Sequence, residues 1–367
     1  MELTRRNFVK LIGGSSLIIL GGSALAACAK ESPAGEAGTE GATGADGAGA
    51  DAAAAGGEFP LGSTQIQALG GGVCGAPAYI AKDKGFWAEE GIDVELVSGT
   101  FAQQQSGLQS GQFFATNGDF QFFPAINEGL DIKILVGLHQ GCIKLLVPSD
   151  SPITSVADLK GKIIGVDEIG GTPWAVTSVA LSEVGIDPSA EGGEVTWAPY
   201  DLSVLEEVAG RGEVDAFAAW DPFGVTAERN GFRVLVDIAE TEPFKGKYCC
   251  FLYASTDAIE NSRDQVRAIY QGWVKGAEWI AENPAEAAKI ITDGSEHEAY
   301  VASEDVALIE ELLSSYHYDH THGSSEFETT KENVQYFAEK LKGTGYLPAD
   351  FDEVAFVDQV IFDPSTL

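Results

Sequence analysis

The chain has 367 residues, a length that predicts about two domains, and its 44% of apolar residues can build a buried core. It carries 22 Lys and Arg residues against 56 Asp and Glu residues, a formal net charge of −34. Nucleic-acid binding and electrostatic docking on anionic lipid both need clustered positive charge, so the composition argues against both for the folded part. The acid excess itself indicates a soluble, self-repelling surface and identifies no ligand.

The first 28 residues have the pattern of an export signal. Residues 4–10 fit the twin-arginine pattern Ser/Thr-Arg-Arg-x-Phe-x-Lys, and the apolar stretch from Leu11 to Ala27 contains four glycines, which suits a signal peptide better than a permanent span. The stretch ends in Leu25-Ala26-Ala27-Cys28, which resembles the lipobox of bacterial lipoproteins. This resemblance implies twin-arginine export and a lipid on Cys28 that holds the protein on the extracytoplasmic face of the cell membrane. A signal anchor with an incidental cysteine is the alternative.

Residues 29–58 have the composition of a tether. They are almost all Gly, Ala, Glu, Asp, Ser and Thr, without an aromatic residue. Such a segment cannot bury enough apolar surface to offset its chain entropy, so we expect it to be disordered. About 30 flexible residues span roughly 30 Å, which lets a lipid-held domain move around a membrane partner. A plain spacer would have the same composition.

From residue 59 onward, short β-branched runs alternate with amphipathic helical runs, which is typical of α/β folds. The first alternation predicts strands at 65–69, 92–97, 113–116, 132–136 and 143–147, and helices at 77–84, 102–110 and 124–128. The second predicts strands at 162–166, 194–198, 216–219 and 233–237, helices at 173–184, 202–209 and 222–228, and a returning strand at 249–254. The remainder is predicted to be mostly helical, at 263–282, 284–292, 303–316, 330–342 and from about 351.

Two of the predicted strand-to-helix turns have the form of a ligand site. In Gly170-Gly171-Thr172-Pro173, Thr172 suits an N-cap and Pro173 the first helical position, and Cys74-Gly75-Ala76-Pro77 is built alike. Free N–H groups at a helix N-terminus can bind an anion, and ligands of open α/β sheets lie beyond the carboxyl ends of strands. Either turn alone could be an ordinary connection, but two in corresponding places favour a shared site.

Three segments resemble a known family. The run from Pro77 to Val94 (PAYIAKDKGFWAEEGIDV) resembles the opening of periplasmic-type solute-binding proteins of ABC importers, in the nitrate, sulfonate, taurine and thiamine-precursor branch. The run from Ser151 to Val166 resembles that family's passage into its second lobe. Gly212-Glu213-Val214-Asp215-Ala216, followed by Trp220-Asp221-Pro222-Phe223, resembles the acidic turn opposite. The match spans residues 65–295 and keeps the family's order of motifs.

The resemblance implies a type II periplasmic-binding-protein-like fold of two α/β lobes joined by two hinge strands. The first lobe would comprise 59–147 and 249–367, the second 148–248, with 143–147 and 249–254 as the hinge strands. A small-molecule solute would bind between the lobes and stabilise the closed form, which an ABC permease and ATPase complex would recognise. The protein would act as a monomer without a cofactor.

Candidate ligand-binding residues lie at predicted strand ends or in the loops that follow. The first lobe offers Cys74, Gly75, Gln103, Gln104, Asp119 and His139, and the second offers Gly171, Thr172, Trp174, Tyr200, Trp220 and Asp221. Several have a purely structural alternative: Asp119 and Asp221 would also suit helix caps, and Trp174 and Trp220 would also suit a core or hinge. The candidates are acidic and aromatic with little Lys or Arg, which favours an amine, a zwitterion or a nitrogen heteroaromatic over nitrate or a simple sulfonate.

The cysteines are unusual for an exported chain. Besides Cys28, the four cysteines Cys74, Cys142, Cys249 and Cys250 are predicted to converge near the hinge. An even number in an oxidising compartment allows up to two disulfides, among them Cys142 with Cys249 or Cys250. Buried free thiols, packing as small apolar groups, are the alternative.

An enzyme on the same fold is the main competing interpretation. Cys249-Cys250-Phe251 resembles part of the Cys-Cys-Cys-Phe-Cys motif of the iron-dependent thiamine-pyrimidine synthases, but two cysteines are missing and Gly75 replaces that family's histidine. His317, His320 and His322 could bind a metal, although a late loop favours a solvated helix end. We therefore interpret the chain as a lipid-anchored solute receptor that is not an enzyme and holds no metal, with a surface sensor as a third alternative.

Overall fold

The structure is a computed structural model, which describes residues 59–68, 71–295, 299–318 and 324–367. The predicted export signal, Cys28 and the tether lie outside the described residues, as do His320 and His322. Within the described ranges, no helix combines the length and the apolar character needed to cross a membrane.

Three sheets form the framework of the described residues. In the first, β1 and β2 pair in parallel, and in the second β10 lies antiparallel between β3 and β4. The third has the order β7-β6-β8-β5-β9, with β5 antiparallel to both of its neighbours. The strands are β1 (Ser63–Gln67), β2 (Asp93–Val97), β3 (Ala115–Gly118), β4 (Ile132–Gln140), β5 (Ile143–Val147), β6 (Ile163–Val166), β7 (Thr196–Pro199), β8 (Ala216–Trp220), β9 (Arg233–Asp237) and β10 (Tyr248–Ser255).

Helices connect the strands and form most of the chain after β10. The helix α9 packs on α1, α2 and α11, while α12 packs on β4, α5 and α13. The helices are α1 (Ala76–Asp83), α2 (Phe86–Glu89), α3 (Phe101–Ser110), α4 (Phe122–Asn127), α5 (Thr172–Glu183), α6 (Leu202–Gly210), α7 (Phe223–Arg229), α8 (Thr256–Asn261), α9 (Arg263–Glu282), α10 (Pro284–Thr292), α11 (Val306–Ser315), α12 (Ser324–Gly343) and α13 (Glu353–Val360). The predicted α/β alternation with a helical C-terminal part is confirmed.

The sheets define two lobes. The Thr116 hydroxyl on β3 donates a hydrogen bond of 2.8 Å to the carbonyl of Gln67 on β1, which joins the two smaller sheets. The first lobe therefore contains β1 to β4 and β10. The second contains β5 to β9.

The chain crosses between the lobes at other places than predicted. The strand β5, predicted to end the first lobe, pairs with β8 and β9 inside the second sheet, and all five of its residues are buried. Gly141 and Cys142, between β4 and β5, form the outgoing crossover, and residues 238–247 form the returning one. Alternation could not reveal this, because a fully buried strand has the same apolar pattern in either sheet.

The outgoing crossover has an unusual backbone. Gly141 has a φ of 88° and Cys142 a φ of 89°, in the left-handed region that costs a residue with a side chain about 1–3 kcal/mol. Hydrogen bonds hold the segment: Asp221 N–H donates to the Cys142 carbonyl at 2.8 Å, and Gln140 N–H donates to the Tyr316 carbonyl at 3.2 Å. Contacts from both lobes thus fix the conformation of the crossover.

A close helix contact positions the turn that carries Cys74. A Cβ built on Gly276 of α9 would lie 2.2 Å from the carbonyl oxygen of Pro77 at the start of α1. We expect Gly276→Ala to lower the free energy of unfolding by about 1–3 kcal/mol, because a methyl group forces the helices apart. Gly210→Ala, at the open end of α6 where no atom lies within 4 Å, is the control and should be neutral or stabilising. Equal denaturation midpoints for the two variants would contradict this explanation.

Candidate functional site

A cavity of about 220 Å³ lies where loops of the two lobes face each other. The loops follow β1, β2 and β3 in the first lobe and β6 and β8 in the second, the position that ligands take in open α/β sheets. A larger hollow of about 760 Å³ lies beside β1, β2 and residues 299–302, away from the second lobe. The smaller cavity is lined by Gly72, Cys74, Gly99, Phe101, Asp119, Gln121 and Cys250 of the first lobe, by Cys142 of the crossover, and by Ile143, Asp167, Glu168, Thr172, Pro173 and Trp220 of the second.

Contacts between the lobes enclose this cavity. The Gln121 side-chain amide donates to the Glu168 carboxylate at 2.5 Å. The Tyr346 hydroxyl donates to the Gly170 carbonyl at 2.8 Å. The Trp220 ring lies against Gly72, where an added Cβ would be 3.4 Å from it. The lobes therefore touch around the cavity, as expected of a closed binding site.

The N-terminus of α5 lies in the wall of the cavity. Gly171 is the N-cap residue and Thr172 the first helical residue, so the helix begins one position earlier than the sequence predicts. Gly171 is required here because a Cβ would lie 2.9 Å from the Glu168 side chain. The Thr172 hydroxyl is buried and lies beside Asp119, and it lowers the pKa of that carboxyl group. Thr172 and Asp119 thus form a pair of polar groups in the cavity wall to which a ligand atom can hydrogen-bond.

Two partly buried carboxyl groups make the cavity acidic. Desolvation raises the pKa of Asp119 to about 6, against the opposing effects of the Thr172 hydroxyl and of the Gln121 N–H, which donates to Asp119 at 2.8 Å. Burial also raises the pKa of Asp167 to about 6, although the Glu168 N–H donates to it at 3.0 Å and the Trp220 indole N–H at 3.3 Å. Among the described lining residues there is no Lys or Arg. Both carboxyl groups are mostly ionised at neutral pH, so the cavity attracts a cation.

Four of the predicted ligand-binding residues line this cavity: Cys74, Asp119, Thr172 and Trp220. Gly171 and Gly75 lie behind the lining, where they shape the two turns. An added Cβ on Gly75 would lie 2.5 Å from the Tyr79 hydroxyl. Both glycines therefore position the site through close backbone packing.

The remaining predicted residues lie elsewhere and have structural partners. Gln103 forms the capping box of α3 with Thr100, and Gln104 is buried and donates to the Thr116 hydroxyl at 2.7 Å. Trp174 packs against Trp197 and Tyr346, and Tyr200 packs on the small core of the second lobe. Asp221 accepts hydrogen bonds from the Val225 N–H and the Tyr316 hydroxyl. His139 lies behind the cysteines. Asp221 also lies two residues before α7, so it is not the N-cap residue that the sequence predicts.

The cavity lining also contains residues that were not predicted from the sequence, among them Phe101, Gln121, Asp167 and Glu168. Asp167 and Glu168 follow β6 directly, and Gln121 follows Asp119 by two residues, so proximity to a strand end would have indicated them. Phe101 begins α3 and carried no polar signal. It lines the cavity together with Asp167 and Glu168, which follow β6 in the other lobe, and this proximity arises only in the folded chain.

The four cysteines and His139 form one buried cluster beside the cavity. All four thiols are free. The sulfur of Cys249 lies 3.0 Å from that of Cys142 and 3.7 Å from that of Cys250, and it lies 3.7 Å from both ring nitrogens of His139. Hydrogen bonds from the other three thiols lower the pKa of Cys74 well below its ordinary value. The cluster thus favours a thiolate at Cys74, which lines the cavity.

Residues 75–287, more than half of the chain, match the family model described as NMT1/THI5 like. The chain belongs to the NMT1/THI5-like family. This confirms the family resemblance of the three sequence segments. The matched region includes both crossovers and every cavity-lining residue except Gly72 and Cys74.

Two curated relatives have names that describe different functions. The chain is 28% identical over 180 residues to the riboflavin-binding protein RibY of Chloroflexus aurantiacus, which covers 43% of this chain and 51% of that protein. The chain thus spans about half the length of this relative. It is 24% identical over 259 residues to the 2′-hydroxybiphenyl-2-sulfinate desulfinase of Rhodococcus erythropolis, which covers 55% of this chain and 69% of that protein.

Solved structures show the fold of this NMT1/THI5-like chain. The alkanesulfonate-binding protein SsuA from Xanthomonas axonopodis pv. citri, bound to MOPS, superposes with a TM-score of 0.63 at 18% identity and covers 83% of this chain and 99% of its own. The periplasmic nitrate-binding protein NrtA from Synechocystis PCC 6803 superposes with a TM-score of 0.62 at 18% identity, covering 82% and 85%. The predicted periplasmic-binding-protein fold is confirmed.

Proposed function

We propose that this protein is the extracytoplasmic solute-binding component of an ABC importer and that its solute is a small nitrogen compound, an amine-bearing or heteroaromatic ring. The observation that carries the proposal is the inter-lobe cavity with two partly buried carboxyl groups and no Lys or Arg in its described lining. The solute would stabilise the closed lobes, and a permease and ATPase complex would take it from them. The lipid on Cys28, twin-arginine export and the monomeric state belong to the proposal and depend on the sequence alone.

Charge favours a cationic or donor-rich solute over nitrate or a sulfonate. A nitrate or sulfonate ion would meet the favourable N-terminus of α5 and the Thr172 hydroxyl, but also Asp119 and Asp167. Like charges at close range repel strongly in a site of low dielectric. A protonated amine or a ring N–H can instead donate to both carboxylates, and charge-assisted hydrogen bonds of this kind are the strong ones.

Shape favours a single flat ring. Phe101 and Trp220 both line the cavity, and Trp220 is oriented by its indole hydrogen bond to Asp167. Aromatic faces bind flat rings and cations alike. A volume of about 220 Å³ lies below the roughly 300–1,000 Å³ of sites for drug-sized ligands, so the solute is small.

A thermal-shift screen tests the proposal. The purified protein would be heated with aminopyrimidines, aromatic amines, polyamines, taurine, alkanesulfonates and nitrate. We expect amine-bearing rings to raise the melting temperature in proportion to RT ln(1 + [L]/Kd), and nitrate and sulfonates to leave it unchanged. A shift with sulfonates alone would contradict the solute class, and no shift with any compound would contradict the proposed receptor function.

Catalysis in the same cavity is a second candidate, favoured by one specific observation. The Cys74 thiol lines the cavity, and the neighbouring thiols lower its pKa, which favours the nucleophilic thiolate form at this position. The desulfinase relative makes this candidate concrete without assigning its substrate to this chain. Product analysis separates the candidates: a receptor returns a screened solute unchanged after prolonged incubation, whereas an enzyme converts more than one equivalent.

A further inference from the structure

The buried cluster beside the cavity has a donor set that the receptor function leaves unused. One ligand atom each from Cys74, His139, Cys142 and Cys250 can be chosen so that all four lie within 4.8 Å of one another. All four residues are buried. Their side chains supply three sulfur atoms and one imidazole nitrogen, and no carboxylate. This set of sulfur and nitrogen donors contrasts with the rest of the chain, in which carboxylates are the most abundant charged groups.

We propose that Cys74, His139, Cys142 and Cys250 form a binding site for one thiophilic cation, of the class of Zn²⁺ or Cu⁺. Thiolate and imidazole ligands select these ions over Mg²⁺ and Ca²⁺, which prefer oxygen. Three cysteines and one histidine are a common complete set for a structural Zn²⁺ site. The site therefore differs from the solute site in both ligand chemistry and coordination.

The distances fit a four-coordinate ion after a small contraction. Zn–S bonds of about 2.3 Å and Zn–N bonds of about 2.0–2.1 Å in a tetrahedron place the donor atoms about 3.5–3.8 Å apart. The four donor atoms lie within 4.8 Å of one another, so side-chain adjustments of about 1 Å bring them to this separation. Rotation about the Cα–Cβ bonds of three cysteines can supply such a shift without moving the backbone.

The ligands come from segments that the fold holds in place. Cys74 lies in the turn before α1, His139 near the end of β4, Cys142 in the crossover and Cys250 on β10. The His139 ring stacks on Tyr316 with centroids 4.8 Å apart, and its Nδ1 lies 3.4 Å from the Gln140 carbonyl. Partners of this kind orient a histidine ligand and leave its Nε2 for the metal.

The cavity provides a path to the site. Cys74, Cys142 and Cys250 all line it, while His139 lies behind them. The carboxyl groups of Asp119 and Asp167 at the same cavity attract cations toward the thiols. A bound cation would join the crossover at Cys142 to three segments of the first lobe, and would hold the left-handed backbone of Cys142 in place.

Cys249 provides an internal control because it is close to the site but outside the ligand set. Its sulfur lies 3.0 Å from Cys142 and 3.7 Å from Cys250, yet it is not one of the four converging donors. An oxidised Cys142–Cys249 pair would compete with the metal for Cys142. The protein must therefore be reduced before metal binding is measured.

Titration with Co²⁺, followed by displacement with Zn²⁺, tests the site. The full chain would be reduced, stripped of metal with a chelator and titrated without oxygen. We expect thiolate-to-cobalt charge-transfer bands and the intense visible bands of tetrahedral Co²⁺, saturating at one equivalent and lost on addition of Zn²⁺. Cys74→Ser and Cys250→Ser should each weaken binding at least about 100-fold, while Cys249→Ser should bind as the parent does. Cys28 is present in the parent and in all three variants, so it cannot cause a difference in metal binding between them.

Three results would overturn the proposal: no tetrahedral cobalt spectrum in the reduced parent, undiminished binding by both Cys74→Ser and Cys250→Ser, or a loss for Cys249→Ser equal to theirs. Far-ultraviolet circular dichroism of each metal-free variant establishes that it is folded. If a serine variant does not fold, the corresponding alanine variant, Cys74→Ala or Cys250→Ala, is used in its place because it keeps the apolar packing. Solute binding is measured separately on metal-free protein, so failure of the metal site and failure of the receptor function give different results.

Discussion

Asp119→Asn should weaken the binding of an amine-bearing aromatic solute at least about 30-fold. Removing one charge of a buried, hydrogen-bonded pair costs about 2 kcal/mol or more, which corresponds to that factor. The substitution preserves shape, and the Asn oxygen can still accept the hydrogen bond that Gln121 N–H donates to Asp119. Isothermal titration calorimetry with the best compound of the thermal-shift screen measures the change.

A stability measurement distinguishes weaker solute binding by Asp119→Asn from unfolding of the variant. The pKa of Asp119 is raised to about 6 in the folded protein, so its ionisation lowers stability as pH rises from the unfolded value of 3.8 to about 6, and the loss stays constant above that pH. Asp119→Asn should therefore be as stable as the parent, or more stable, at pH 7.5. Asp150→Asn, the same chemical change on an exposed residue outside the cavity, should leave affinity and stability unchanged. Equal affinities for Asp119→Asn and Asp150→Asn would show that Asp119 does not contact the solute.

Binding of a cationic solute should weaken about 100-fold between pH 7.5 and pH 5. Burial raises the pKa of both Asp119 and Asp167 to about 6, so both carboxyl groups gain protons over this interval. The apparent affinity follows the fraction of protein in which both are ionised, which falls about tenfold for each group. Benzylamine is a suitable probe because its own amine stays protonated throughout. Three other side chains face these two carboxyl groups: Glu168, Cys74 and Trp220. They are the same in the parent and in the variant with which it is compared.

The matched variant for this experiment is again Asp119→Asn. With one of the two titrating groups removed, the decrease in affinity from pH 7.5 to pH 5 should be about tenfold rather than 100-fold. A pH-independent affinity in the parent would contradict a role for either carboxylate. An affinity that rises as pH falls would indicate an anionic solute and would contradict the proposed class.

Regular elements with strong periodicity were predictable from the sequence. The helices at 263–282 and 284–292 have the predicted bounds, because a long amphipathic stripe and Asn283-Pro284 define them locally. The sheet to which β5 belongs was not predictable, because the apolar pattern of a strand does not determine which distant strand it pairs with. For the same reason the crossover at Gly141 and Cys142 became visible only with the sheets in place.

The site was predictable where it follows strand ends and unpredictable where it depends on distant chain segments. Asp119, Thr172 and Trp220 were identified by position after a strand or at a helix start. Gln104 and Asp221 had similar positions, but they are buried against Thr116 and Tyr316, contacts that arise from tertiary packing. The four cysteines were predicted from the sequence to converge, and no metal site was predicted. The convergence of His139 with them depends on the register between β4 and β10, which brings His139 opposite Cys250.

The two crossovers differ greatly in length, and this difference affects how the lobes can separate. Two residues, Gly141 and Cys142, connect β4 to β5, whereas ten residues, 238–247, connect β9 to β10. A two-residue connection permits rotation but almost no translation at that point. We therefore expect the pivot of opening to lie beside the thiols, with the widest displacement at the Tyr346–Gly170 contact. Solute would then enter from the Tyr346 side, and the cysteines would remain together in the open and the closed protein.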